Sequence, residues 1–192
     1  MTLPLWLELE HARIIHACWD PERMTRVRAE LGPLDRVTDR FLQAAGPKGA
    51  PLFDDVEVLL KGLEVRLPEG YAFHDGKQDR EHVRVRWWQG HGDTLSECAL
   101  MPRGHGLPDD LPLHYVRPTI PDPRPCFVGH YWHTLDASGR ARVFAPHVAC
   151  VDLSVGKKGH LAAYRHSGER TLDDSRYVVV DQRGQRVPTG VP

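Results

Sequence analysis

Two histidines stand at the ends of short apolar runs. In Pro125-Cys-Phe-Val-Gly-His-Tyr-Trp132 the run stops at Gly129 and delivers His130, followed by two aromatics. Far upstream, Arg13-Ile-Ile-His-Ala-Cys-Trp19 has the same design, a β-branched pair leading straight into His16. A buried strand that ends on histidine presents an imidazole at a sheet edge, where it binds a divalent metal or a phosphoryl group. A lone histidine of this kind more often only caps its strand through a backbone hydrogen bond. Two of the same design suggest one site assembled by a sheet. His133 invites reading as a third ligand through Gly-His-x-x-His, but its context is that of a surface or cleft-lining residue.

The flanking sequence supplies elements to position them. Leu3, Leu5, Leu7 and Leu9 alternate with other residues, as in a strand with one buried face, and His11-Ala12 connects into a second strand over 13–17. Asp20-Pro21 is a helix start, with aspartate as cap and proline at the first helical position, and 22–31 is helical up to Gly32-Pro33. Further helices are predicted over 38–45 and 52–63, the last carrying Lys61 in its final turn. Val83, Val85 and Trp87 alternate with Arg84, Arg86 and Trp88, a strand with one basic face. From Gly90 to Pro125 the chain is rich in prolines and loops, around a short helix at 94–100. Strands follow at 147–153, 161–165 and 176–180, and the segment from 182 to 192 reads as a flexible tail after a single domain over 1–181.

Bulk composition narrows the function. With 192 residues, 41% hydrophobic and 27% charged, the chain can hold one domain with a substantial core. A formal net charge of −1 gives no electrostatic case for nucleic acid or an anionic membrane. The N-terminal stretch lacks the basic start and long apolar segment of a signal peptide, so a cytoplasmic location is expected. Cys18, Cys98, Cys126 and Cys150 are scattered without a C-x-x-C pair, as core residues rather than disulfide or zinc ligands. The 20 arginines against 5 lysines, and the complete absence of asparagine, are unusual.

The order of segments is informative. Leu3-Pro-Leu-Trp-Leu-Glu-Leu9, Ile15-His-Ala-Cys-Trp-Asp-Pro21, Leu60-Lys-Gly-Leu-Glu64, Arg84-Val-Arg-Trp-Trp88, Phe127-Val-Gly-His-Tyr-Trp132 and Ala149-Cys-Val-Asp-Leu-Ser-Val-Gly-Lys-Lys-Gly-His-Leu161 together resemble the C-terminal half of calcineurin-like metallophosphoesterases. The likeness is to bacterial phosphatases similar to serine/threonine protein phosphatases and to symmetrical diadenosine tetraphosphatases. It implies an α/β fold: part of an α/β/β/α sandwich of mixed sheets with flanking helices, plus an α+β insert over roughly 32–124. It also implies two divalent ions, such as manganese or iron, that activate water for in-line attack on a phosphorylated protein, nucleotide or small molecule. By position, His16 and His130 correspond to histidine ligands of one ion. Asp152 corresponds to a carboxylate that orients a ligand histidine, although Leu153-Ser154 replaces the family's Thr-Gly. Arg84 or Arg86 sits where related phosphatases clamp phosphate, with Lys61 and Lys157 as further cations.

What is missing limits activity. The family's G-D-x-H-G, G-D-x-x-D-R-G and G-N-H-E segments do not occur; the only Gly-Asp pair is Gly92-Asp93, and no asparagine exists to serve as ligand. Two histidines without the bridging carboxylate are a half site, expected to hold at most one ion weakly. Because the chain opens mid-hairpin, it is expected to be inactive without a complementing N-terminal half, and to self-associate through an uncovered sheet face. The alternative is a degenerate member that binds phosphate or nucleotide around Arg84, Arg86 and Lys157 as a regulatory module.

Overall fold

The structure, a computed structural model, describes residues 4–32, 37–89, 92–101, 104–122 and 124–187. It is of mixed α/β content. In chain order the elements are β1 (Trp6–Glu8), β2 (Arg13–Ile15), α1 (Pro21–Leu31), α2 (Asp39–Ala45), α3 (Phe53–Lys61), β3 (Glu64–Arg66), β4 (Phe73–His74), β5 (Asp79–Arg80), β6 (His82–Arg84), α4 (Leu95–Cys98), β7 (Cys126–Val128), β8 (Val148–Cys150), β9 (Asp152–Leu153), β10 (His160–Tyr164) and β11 (Tyr177–Val180).

Local chemistry sets the helix starts where the sequence places them. Asp20 accepts hydrogen bonds from the Glu22 and Arg23 amides at 3.1 Å each, and Thr38 accepts one from the Phe41 amide at 3.2 Å, satisfying first-turn donors that have no partner within the helix. Gly32 and Gly62 follow α1 and α3 with φ of +75° and +89°, backbone that favours glycine. A part-buried clamp joins the two helices: Arg26, half exposed, forks onto both oxygens of the buried Asp55 at 2.7 Å, and Arg23 reaches Oδ1 at 2.7 Å.

The central sheet has the order β1-β2-β7-β8, with β1 antiparallel to β2 and β2, β7 and β8 mutually parallel. One of its faces is covered by the helices, in a core that unites Trp6, Ile15, Cys126, Val128 and Cys150 with Met24, Val27, Phe41 and Leu59. The opposite face carries the antiparallel sheet β11-β10-β9, through Phe127, Ala149, Leu153, Tyr177 and Val179. The molecule is therefore layered as helices, sheet and sheet. Residues 64–113 have a separate core of Leu67, Phe73, Val83, Leu95, Cys98, Leu111 and Leu113. Helices α2 and α3, read from sequence as part of the insert, contribute Phe41, Ala45 and Leu59 to the main core instead.

Two expectations change. In β1 the buried side chain is Trp6, with Arg28 over its ring, while Leu7 and Leu9 point to solvent. The leucine alternation does not hold through β1: Leu5 is half-buried against the main core beside Trp6, whereas Leu7, Glu8 and Leu9 are exposed. At the other end, residues 182–187 of the expected tail fold back: the Val187 amide donates to Val179 at 2.9 Å and Asp181 caps the turn between them. The remainder of that segment, 188–192, and residue 3 at the start of the expected first strand lie outside the described residues. All four cysteines are buried and free. No helix among the described residues is long and apolar enough to cross a membrane.

Candidate metal centre

Parallel pairing decides where the two histidines go. Arg13 and Ile14 of β2 pair with Cys126 and Phe127 of β7 in parallel register, so both strands finish at the same edge of the sheet. The Gly129 amide then donates to the His16 carbonyl at 3.0 Å, and the Ala17 amide donates to Leu59 at the end of α3, turning the chain away. The two imidazoles consequently meet: their ring centroids are 5.4 Å apart with the planes at 62°. A single ion with metal–nitrogen bonds of about 2.0–2.2 Å can bridge rings at that spacing.

Their surroundings differ. His16 is exposed, whereas His130 is half-buried and its Nε2 has no hydrogen-bond partner among the described residues. A buried nitrogen without a protein partner keeps its lone pair or proton available to a ligand or to water. Burial first, then the Arg84 and His16 charges, push the His130 pKa down to about 4; Asp152 opposes this and Lys61 adds to it. At neutral pH His130 is therefore an uncharged imidazole, the form that ligates metals. Of the residues chosen from widely separated stretches of sequence, His16 meets the His130 ring directly, and the charges of Arg84, Asp152 and Lys61 act on it.

Arg84, Arg86, Lys61 and Asp152 each have a defined local partner. Arg84 donates to Glu64 at 2.8 Å across the β3–β6 pair and keeps a buried Nε without a partner among the described residues. Arg86 donates to Gln89 at 3.3 Å. Lys61 is exposed and pairs with Glu57 one turn earlier on α3 at 2.6 Å. Asp152 caps the Ser154 amide at 2.9 Å, so its carboxylate stabilises the turn after β9 while its charge acts on His130. Lys157 is exposed in a 3-10 turn at 155–157; of the candidate residues only Arg84, Arg86 and His130 line a common cleft, and His16, Lys61, Asp152 and Lys157 do not.

That cleft, about 1150 Å³, is walled by Arg84, Arg86, His130, Tyr131 and Trp132, with Lys48 and several carboxylates on the side of β4 and β5. Trp132 is 66% exposed at its rim. The other aromatics considered as a stacking wall are committed to packing: Trp87 and Tyr131 are buried, and Trp88 stacks on Phe144 at 4.8 Å. His133 is half-buried, with its Nε2 3.2 Å from the Cys150 carbonyl and its ring against Phe144. A carbonyl can only accept, so in this contact that nitrogen carries the proton and is not free to ligate. Sequence inspection missed the hydrogen bond from Trp87 to Tyr131, at 3.0 Å, which links the insert to the residue after His130. Gly62, directly against the Tyr131 hydroxyl, was its only local trace.

The two imidazoles stand as a pair. Among the described residues no group of three or more histidine, cysteine, aspartate or glutamate side chains is gathered closely enough to hold an ion. Two imidazoles at this centroid spacing are compatible with two positions around one divalent ion. Comparison of the chain with protein-family models, curated proteins and solved structures gives no match in any of the three.

Proposed function

We propose that the chain carries the histidine-bearing half of a phosphoester-hydrolase site of the calcineurin-like kind, in which His16 and His130 hold one divalent ion and the remaining ligands come from other polypeptide. The observation that carries this reading is the convergence of two strand-end imidazoles, one with a buried nitrogen that has no partner among the described residues, at one edge of a parallel strand pair. The layering of helices, sheet and sheet supports an α/β/β/α sandwich of which one outer layer is not seen. The resemblance of six segments in order supplies the reaction class.

Within this reading the chain's own groups bind and orient. Neutral His130 offers a lone pair without first losing a proton at pH 7. Arg84, with a spare Nε proton, and Arg86 face the same cleft and suit the oxygens of a phosphoryl group. When bound, divalent ions supply the positive charge that polarises such a group. Among the described residues no group of three or more ligand side chains is gathered, and in this reading the chain needs further ligands from elsewhere to turn over.

Hydrolysis of p-nitrophenyl phosphate with added manganese tests this. The chain alone is expected to match the metal-only control, and to gain turnover when mixed with a polypeptide bearing the Gly-Asp-x-His-Gly, Gly-Asp-x-x-Asp-Arg-Gly and Gly-Asn-His-Glu segments. Enzyme-level turnover from the chain alone, abolished by His130→Ala, would overturn the half-site reading. A second reading, a phosphate-binding module, draws on the same arginines and on the absence of a third ligand among the described residues. Saturable phosphate binding that persists in His16→Ala and is lost in Arg84→Ala would favour it.

A further inference from the structure

The backbone at His130 has a rare conformation. The Tyr131 amide donates back to the Gly129 carbonyl at 2.5 Å, closing a three-residue turn with His130 at its centre and φ at +57°. A positive-φ turn of this kind is strained for any residue with a β-carbon, and persists only where the surroundings over-determine it. The source of that constraint is therefore a physical question about the site.

Tyr131 answers it. Its side chain is 5% exposed, and its hydroxyl accepts a hydrogen bond from Trp87 Nε1 at 3.0 Å. On the other side lies Gly62 at the end of α3, so close that a β-carbon there would stand 2.5 Å from the hydroxyl. The Trp88 ring packs edge-on against the Tyr131 ring with centroids 5.0 Å apart. The carbonyls flanking the turn are held as well, since the Cys150 thiol lies 3.4 Å from the Gly129 oxygen and 3.7 Å from the Tyr131 oxygen. The phenol is thus fixed by a helix end and by the segment leaving β6, and cannot rotate without dragging His130 along.

We propose that Tyr131, locked by Trp87, is a positioning residue that keeps the His130 ring turned toward His16 and couples the 64–113 unit to the candidate metal centre. The hydrogen bond between Trp87 and Tyr131 is the coupling element, and the strained turn transmits it over one residue. Its consequence for metal affinity rests on the reading of His16 and His130 as ligands; the ring placement itself does not.

Tyr131→Phe and Trp87→Phe, each in the full chain, remove opposite ends of the bond while keeping an aromatic ring. Two readouts separate positioning from bulk stability: the nuclear Overhauser effect between the His16 and His130 ring protons without metal, and the affinity for cobalt(II). In both variants the ring-to-ring effect is expected to weaken, with circular dichroism unchanged and cobalt affinity reduced about tenfold, the size typical of groups that orient a ligand. A ring-to-ring effect equal to that of the unmodified chain in both variants would overturn the proposal. So would loss of the fold in both, which would make the bond a general support of the core. Failure of the unmodified chain to bind cobalt would remove the metal reading and leave the ring placement to be decided by the metal-free measurement.

Discussion

The imidazoles of His16 and His130 meet edge to face, with centroids 5.4 Å apart, although the chain between them builds three helices and the whole 64–113 unit. Their meeting follows from one topological fact, that β2 and β7 are adjacent and parallel and so end at the same edge. Each residue that influences His130 is likewise delivered by the end of an element: Lys61 by α3, Arg84 by β6 and Asp152 by β9.

Gly62 is a sensitive position. Gly62→Ala places a β-carbon 2.5 Å from the Tyr131 hydroxyl and holds an alanine at φ near +89°. Backbone strain and overpacking together are expected to cost about 2–4 kcal/mol. Gly70→Ala, at φ +84° with nothing within 4 Å, isolates the backbone part and is expected to cost about 1 kcal/mol. Thermal unfolding of the two variants checks the difference.

The Asp55 clamp sets an acid limit on stability. Hydrogen bonding from Arg26 is the main cause that holds the Asp55 carboxyl below the usual carboxylate range; burial works against it, and the charges of Arg26 and Arg23 reinforce it. A depressed folded-state pKa gives stability that is complete above the unfolded value near 3.8 and is lost as pH falls through the folded value. Asp55→Asn is expected to cost about 1–3 kcal/mol at pH 7 and to flatten the fall in stability below about pH 4. Urea titrations at pH 7, 5, 4 and 3 provide the comparison. An unchanged acid limb would contradict the assignment.

Helix α1 shows what a sequence declares openly. Its cap, Asp20-Pro21, acts within three residues, and the Thr38 cap of α2 does the same, so both starts were readable. The His16 and His130 pairing was readable because each is the last side chain of an apolar run, and parallel strands do the rest. The burial of β1 was not, since in a three-residue edge strand only Trp6 is buried, with Leu5 half-buried beside it, and no alternation develops. The Asp55 clamp and the Trp87–Tyr131 bond join residues 29 to 44 positions apart through side chains alone, and no local pattern announces them.

One row of the central sheet runs from a covered to an open face. Ala149 is fully buried and Phe127 partly so beneath β10, but their register partners further along, Ile14 and Leu7, are 39% and 44% exposed. A contiguous apolar edge of this kind promotes association. Sedimentation velocity is expected to show concentration-dependent self-association that Leu7→Lys suppresses. A monodisperse monomer at all concentrations would count against an uncovered layer.

The central claim is that His16 and His130 share one divalent ion. Titration of the metal-free chain with cobalt(II) at pH 7.5, followed by its visible absorption, tests it most directly. One ion per chain is expected to bind weakly, and the signal to disappear in both His16→Ala and His130→Ala while circular dichroism stays unchanged. No saturable signal in the unmodified chain, or a signal that survives both substitutions, would contradict it.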